Sequence, residues 1–542
     1  MKRFIFSFVA TLLVMSTFAQ TKLELAQQAM DNDDYPTVIQ YTTEQLKENP
    51  KDIKALTMRA IAFLSQGDHA SALVDVNAAI KCWNKKCDMA LGNLYCLRGL
   101  VYENAEQYKS ALNDYNTAIK KDKKNPYCYE SRAKLYYKYE MYAEAEADYR
   151  KAYALDQSNT DNAIEVARCL LKQSKNDDAA QVLDKIIKYE PKNAEALRLR
   201  AVIYFYDREF TSTIDYYTAY LSIDPQGDLD LLLYSAAKEY AYALKVVSGK
   251  IKNPENEDYH FYWLGVRARI HQVKDQYQDA LNDLQTMQTM LADSATNTFV
   301  LYQSAICHYE LYEYTEAAKC LTKLIDASNA EDFPSELYLR RGACYDNMGN
   351  YDLAISDFSK VIEEDIDYAP FAYCNRGVTK EVQKDYEGAL EDYNKGLLLD
   401  ETHLGMHMYR GRLLLFQKQD SLRANIDFEY ILARDTTPQS SSVRHYALLY
   451  SGKPAEAVEW MNKVLENDPS DGNYYDAACL YARMGHPEEA IRYLKTSLEM
   501  GYRNLINLET DEDLDSLRER EDYKDLLAKY KKEKIGSLFN KL

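Results

Sequence analysis

The chain lacks the residue constellations that enzymes are built around. There is no H-E-x-x-H, no G-x-S-x-G, no phosphate-binding G-x4-G-K-[ST], and no G-x-G-x-x-G following a strand. Histidine is scarce, eight residues in 542 and scattered, so ligand or acid–base clusters are hard to assemble. His403 and His407 are four apart and would share a helix face, but no carboxylate or third histidine stands at useful spacing, and a surface or interface pair is the simpler reading. Asp511-Glu-Asp513-Leu-Asp515, with Asp522 eleven residues after Asp511, lacks the glycine and glutamate of a calcium loop and reads as an acidic helix start. No cofactor or metal is expected. Positive charge is also short: the net charge is −19, which disfavours nucleic acid and anionic membrane as partners.

Long hydrophobic runs are missing too, with one exception. Lys2-Arg3 precede an apolar run from Phe4 to Phe18, followed by Ala19. A charged start, a short apolar stretch and small residues before a cut describe a secretory leader, with cleavage after Ala19 or an uncleaved anchor as the alternatives. Removing Lys2 and Arg3 takes the charge from −19 to −21. The chain is therefore expected to be exported, to a periplasm or envelope location in a Gram-negative cell. Export bears on the cysteines. Cys169, Cys307 and Cys344 each lie two residues after a small residue of a periodic helix and read as buried. Cys82 and Cys87 flank an inserted loop and form a candidate disulfide; C-x4-C as a zinc half-site lacks a second pair nearby.

What the chain has is a period. Ala111, Ala145, Ala179 and Thr213 are each 34 residues apart, and each is followed four later by Tyr115, Tyr149, Leu183 or Tyr217. Twelve residues upstream stand Gly99, Ala133, Ala167 and Ala201, with Tyr102, Tyr136, Leu170 and Tyr204 three further on. A fixed period of this length marks stacked units that cannot bury their apolar faces alone. Small residues let paired helices approach, tyrosines fill the neighbouring volume, and Pro454 and Pro487 stand where a second helix would begin.

This pattern resembles the tetratricopeptide repeat, a helix–turn–helix of about 34 residues. Gly99-Leu-Val-Tyr102 with Ala111-Leu-Asn-Asp-Tyr115, and Gly342-Ala-Cys-Tyr345 with Ala354-Ile-Ser-Asp-Phe358, carry the resemblance, which extends over roughly residues 22–503 in thirteen units. It implies an all-α, right-handed superhelical solenoid of antiparallel helix pairs with a C-terminal capping helix. The expected organisation is a leader at 1–19, an N-terminal array at 20–226, a degenerate repeat or hinge at 227–258, a C-terminal array at 259–503, and a cap with a basic tail at 504–542. The degenerate stretch contains one clear helical run, Leu229 to Val247, then a polar segment around Ser248-Gly249 and Pro254.

The resemblance also implies a non-enzymatic scaffold that binds proteins or peptides in a groove lined by the first helix of each unit. An enzyme or regulatory subunit without recognisable motifs is the alternative. Carried onto this chain, the groove positions are Lys134, Tyr137, Lys138, Arg168, Lys172, Arg198 and Phe205, interrupted by Glu130 and Glu165. Further along they become Leu339, Ala343, Asp346, Asn347, Val378 and Glu381. The groove should therefore change from basic-aromatic to apolar-acidic. The lysine, asparagine and arginine set with which some members clamp a terminal carboxylate is not assembled in register, since Arg340 and Asn375 occur singly. The leader is tested by fusing residues 1–25 to a periplasm-reporting enzyme. The fusion is expected to be exported with its first ~19 residues removed, and an uncut cytosolic product would overturn the assignment.

Overall fold

The computed structural model describes residues 21–252, 257–291, 297–328, 334–439 and 442–540. The leader at Phe4–Phe18 and its cut site lie outside the described residues, as does Pro254. Among those described there are helices and turns but no strand. The helices come in consecutive antiparallel pairs, for example Leu91–Asn104 with Tyr108–Lys121 and Ser335–Asn347 with Tyr351–Glu364.

The turn inside each pair counts the repeats. A residue with positive φ recurs there, at Asp33, Gly67, Glu106, Glu140, Ser174, Arg208, Asp275, Tyr312, Gly349, Lys384, Gln419, Gly452 and Gly485. Nine of these thirteen are not glycine, so a left-handed turn unfavourable for an L-residue is imposed at most sites by the helices on either side. Thirteen turns reproduce the thirteen units expected from the period.

The chain divides into two compact units, residues 1–239 and 240–542. The boundary falls inside the helical run Leu229–Val247, which is two helices, Asp230–Lys238 and Tyr240–Ile251, broken at Glu239. No left-handed turn joins them. Within the first unit, Asp230–Lys238 packs on Ala194–Tyr206 and Phe210–Leu221; within the second, Tyr240–Ile251 packs on Glu257–Gln272.

The repeat is held together by a motif the period alone did not reveal. An arginine immediately before the small residue of the first helix forms a two-pronged ion pair with an aspartate sixteen residues later in the second helix. The pairs are Arg59–Asp75, Arg98–Asp114, Arg132–Asp148, Arg267–Asp283, Arg341–Asp357 and Arg376–Asp392, with Nε–Oδ distances of 2.6 to 2.9 Å. Arg410 and Asp427 repeat it one residue further apart. The remaining guanidinium nitrogen reaches the second helix of the preceding repeat: Arg59 to Thr43, Arg132 to Asn116, Arg267 to Ser248, Arg341 to Thr322, Arg376 to Ser359 and Arg410 to Asn394. One planar side chain thus ties three helices, using the fixed fork geometry that lysine lacks.

Beside each staple the small residue meets an aromatic ring. A Cβ added at Gly99, Gly342 or Gly377 would approach the rings of Tyr115, Phe358 and Tyr393 to 2.7, 2.5 and 2.5 Å. Buried hydroxyls find partners on the first helix, Tyr115 on Glu103 at 2.7 Å and Tyr393 on Glu381 at 2.8 Å. The staple is not universal: in the unit built on Ala167 the two positions are the apolar Val166 and Val182, and in the unit built on Ala201 Arg200 pairs instead with Asp184 of the preceding second helix at 2.8 Å.

The staple aspartates are almost wholly buried, Asp114 with 3% of its side chain exposed. Asp114→Ala should therefore strand the Arg98 guanidinium and lower stability by about 3–5 kcal/mol, whereas converting both residues to apolar ones, as Val166 and Val182 already are, should cost far less. Urea unfolding of the full chain measures both; equal losses in the single and double variants would refute the staple.

Candidate binding groove

First helices of neighbouring repeats pack directly on one another, as Leu91–Asn104 does on Pro126–Lys138 and Ser335–Asn347 on Ala369–Val382, while second helices are held farther apart. Each stack therefore curves with its first helices on the inner side, and groove positions lie there.

In the first unit the expected basic stretch forms an alternating charge ladder. Lys134 pairs with Glu130 at 2.7 Å on the helix Pro126–Lys138. On the next first helix Arg168 lies 3.4 Å from Glu165 and reaches across to Glu195 at 2.7 Å, where Arg198 also pairs at 2.7 Å. The glutamates thus bind the arginines into one network. Burial raises the pKa of Glu165, with the nearby arginine and lysine opposing. Lys138 lies over the ring of Tyr108, and Tyr137 packs edge-on against Tyr142. Lys172 is exposed. Phe205 belongs to a separate aromatic cluster with Phe210 and Tyr234, 6.3 and 5.3 Å between centroids. Cys82 and Cys87 are free thiols, and Cys87 Sγ accepts a hydrogen bond from the Asn84 backbone N–H. The inserted loop is pinned instead by Trp83, whose indole N–H donates to the Met89 carbonyl at 2.8 Å.

In the second unit the inner face holds a cavity of about 230 Å³ lined by Ala305, Ile306, Tyr309, Leu321, Leu339, Arg340, Ala343 and Asn375. Its walls are largely apolar, and its polar groups are the Arg340 guanidinium, the Asn375 carboxamide and the Tyr309 hydroxyl. Arg340 is steadied by Glu336 at 2.9 Å and lies over the ring of Tyr302. Leu339 and Ala343 stand where the sequence placed them. The acidic positions beside them are engaged within the fold: Asp346 accepts from the Thr379 hydroxyl at 2.7 Å, and Glu381 holds Tyr393 and Arg412. His403 caps its helix by accepting from the Met406 N–H, while His407 bridges Asp427 and the Glu401 carbonyl. Neither is free to bind a metal with the other.

A third feature was not anticipated. The segment after the last repeat, helix Leu505–Thr510 and the 3-10 turn Glu512–Leu517, runs along the inner face of its own unit. Asp511 does cap a helix start, accepting from the Asp513 N–H at 2.9 Å, but both aspartates also engage the repeats. Asp511 accepts from the Tyr475 hydroxyl at 2.8 Å, and Asp513 accepts from Arg483 Nε at 2.5 Å. Cys479, Asp511 and Asp513 converge closely enough for a metal, yet a guanidinium already sits on Asp513. A signal existed in the sequence, since two aspartates spaced by one residue follow the last repeat of a chain whose last repeats carry arginine at inner positions. Its meaning required knowing that the segment folds back.

Asp476 lies against this junction, and its pKa is raised to about 7 by burial first, then by Asp511 and Asp513. Tyr409, Tyr446 and Cys479 face it, and Arg412 and Arg483 hold Asp513 close by. A carboxyl raised in the folded state takes up a proton on folding, so its contribution is complete near pH 4 and is lost as pH rises to about 7. Asp476→Asn should therefore match wild type in urea unfolding at pH 4 and exceed it at pH 8, the gap widening by up to about 1.4 kcal/mol per pH unit between. A gap independent of pH would rule this out.

Five matches to tetratricopeptide repeat family models cover residues 136–203, 335–368, 96–160, 472–500 and 299–327. A TPR repeat-containing protein of Methanocaldococcus jannaschii is 23% identical over 387 residues, covering 70% of this chain and 56% of its own length. The human DnaJ homolog subfamily C member 3 is 24% identical over 224 residues, 38% of this chain and 44% of its own. The chain thus matches about half the length of these curated relatives. Among solved structures, a tetratricopeptide repeat protein from Parabacteroides merdae aligns with 53% of this chain and 96% of its own at 16% identity and a TM-score of 0.29. The APC/C hetero-tetramer Cut9-Hcn1 aligns with 94% of this chain and 96% of its own at 15% identity and a TM-score of 0.32.

Proposed function

We propose that this chain, a tetratricopeptide-repeat protein, is an exported, non-catalytic scaffold that holds extended protein or peptide segments against the inner face of its second unit, within an envelope assembly. The observation that carries the reading is the cavity bounded by Ile306, Leu339 and Ala343, with Arg340 and Asn375 at its polar positions. An apolar hollow with a few convergent polar groups is where a side chain of a bound segment can be desolvated while its backbone or carboxylate is held. The Asn375 carboxamide can donate to and accept from one peptide unit, and Arg340 can add a charge-assisted bond. No helix among the described residues is long and apolar enough to cross a membrane, so envelope association would run through a partner or the leader.

The test is a peptide library selected on the immobilised chain, with the selected peptides titrated against three variants. Ile306→Glu and Ala343→Glu place charge in the cavity and should weaken binding at least tenfold, about 1.4 kcal/mol. Leu353→Glu, at a residue 51% exposed on a second helix, should leave it unchanged. Equal effects from all three would reject the inner face as the binding surface.

A further inference from the structure

The end of the chain does two separate jobs. The helix Glu521–Asn540 covers the last repeat, with Tyr523 and Tyr530 each 3% exposed in the terminal core. Covering an end needs no more than that. The stretch before it reaches repeats far back in the sequence. Asn504 donates to the Asn347 side chain at 2.6 Å, and Asn347 in turn donates to the hydroxyl of Tyr309, a wall of the cavity, at 3.4 Å. Tyr312 packs edge-on against Tyr502, and its hydroxyl donates to Asp471 at 2.9 Å.

The seat of this stretch has the composition of a receptor. Arg483 and Tyr475 donate to Asp513 and Asp511, and Arg412, paired with Glu381 at 2.9 Å, adds its field at Asp513. Leu508, Leu514 and Leu517, at most 1% exposed, join Tyr475, Ala478, Cys479 and Ala482 in one cluster. The fit is imperfect in charge, however. Glu381, Asp476, Asp511 and Asp513 are served by two guanidinium groups of the repeats, Arg412 and Arg483, while the segment's own Arg518 bonds to the Asp511 carbonyl and to Asp515, and Asp476 sits beside both tail aspartates. A segment with one carboxylate at the place of Asp513 and leucines around it would keep the arginine contacts and shed that repulsion.

We infer that the inner face around Arg412, Tyr475 and Arg483 is a docking site for an acidic, leucine-bearing segment of a partner protein, and that residues 504–517 fill it as a built-in competitor. The inference deepens the scaffold reading and rests on it, but concerns a different set of residues from the cavity. Its consequence is a threshold: partners must displace the chain's own segment, so apparent affinity falls by the fraction of time the site is open.

Hydrogen exchange on the wild-type chain tests it first. Amides of 505–517 should open independently of Asp471–Arg483 and Pro487–Met500, exchanging at least tenfold faster than sub-global opening of those helices permits. A synthetic peptide of residues 504–518 with Asp511→Asn, added in trans, should accelerate that exchange. Asp513→Asn in the full chain should release the segment and bind this peptide at least tenfold more tightly than wild type does. Adding Arg483→Glu should remove that binding. The cavity is read separately, by Ile306→Glu against the selected peptides, and Leu353→Glu on an outer helix should alter none of the exchange readings, so failure at the cavity and failure here are distinguishable. Should 505–517 exchange only together with Asp471–Met500, or Asp513→Asn bind the peptide no better than wild type, the segment is a fixed cap and the inference falls. Protection of Ser335–Leu399 in each variant confirms that the repeats remain folded.

Discussion

One guanidinium bridging three helices is the interaction on which the architecture depends. Apolar packing between a small residue and a ring sets how closely two helices approach, but it is non-directional and tolerates rotation of one pair on the next. The Arg–Asp fork does not. By engaging the aspartate of its own repeat with two nitrogens and the preceding repeat with a third, Arg132 or Arg376 sets the angle between successive pairs as well as the spacing within one. Repeated along each unit, that angle gives the stack a consistent curvature. The cost is several nearly buried ion pairs, which are stable only because every prong has a partner.

That curvature makes an inner face, and electrostatics divides it. In the first unit, glutamates spaced among the cations satisfy them internally, so the basic strip is closer to a self-neutralised ladder than to a field awaiting an anion. In the second unit the acidic inner positions are engaged by Thr379, Tyr393 and Arg412, which leaves apolar walls beside Arg340 and Asn375. The chain's own terminal segment adds Asp511 and Asp513 to that face, beside Asp476. A strongly acidic protein has thereby placed carboxylates against its own inner arginines, and Asp476, its pKa raised first by burial and then by Asp511 and Asp513, lies where they meet.

The period, the helix pairs and their number were legible in the sequence because they follow from local spacing. Small residues recurring with an aromatic sixteen later specify a packed pair wherever they occur, and thirteen left-handed turns stand where that spacing requires them. The Arg–Asp staple was legible in principle, for arginine precedes Gly99, Ala133, Gly342, Gly377 and Gly411 in turn. The apolar period masks it, since a charged residue in a helix is ordinarily a solvated one. The helical run through Glu239 read as continuous because nothing in it breaks a helix; the division comes from each half packing within its own unit. Which cations are free, that Asp346 and Glu381 turn inward, that His403 and His407 are engaged separately, and that the acidic end reaches Asn347 and Arg483 were decided only by tertiary structure. These depend on pairs separated by up to about 160 residues, such as Tyr312 with Asp471 and Asn347 with Asn504, and no local spacing encodes the curvature that brings them together.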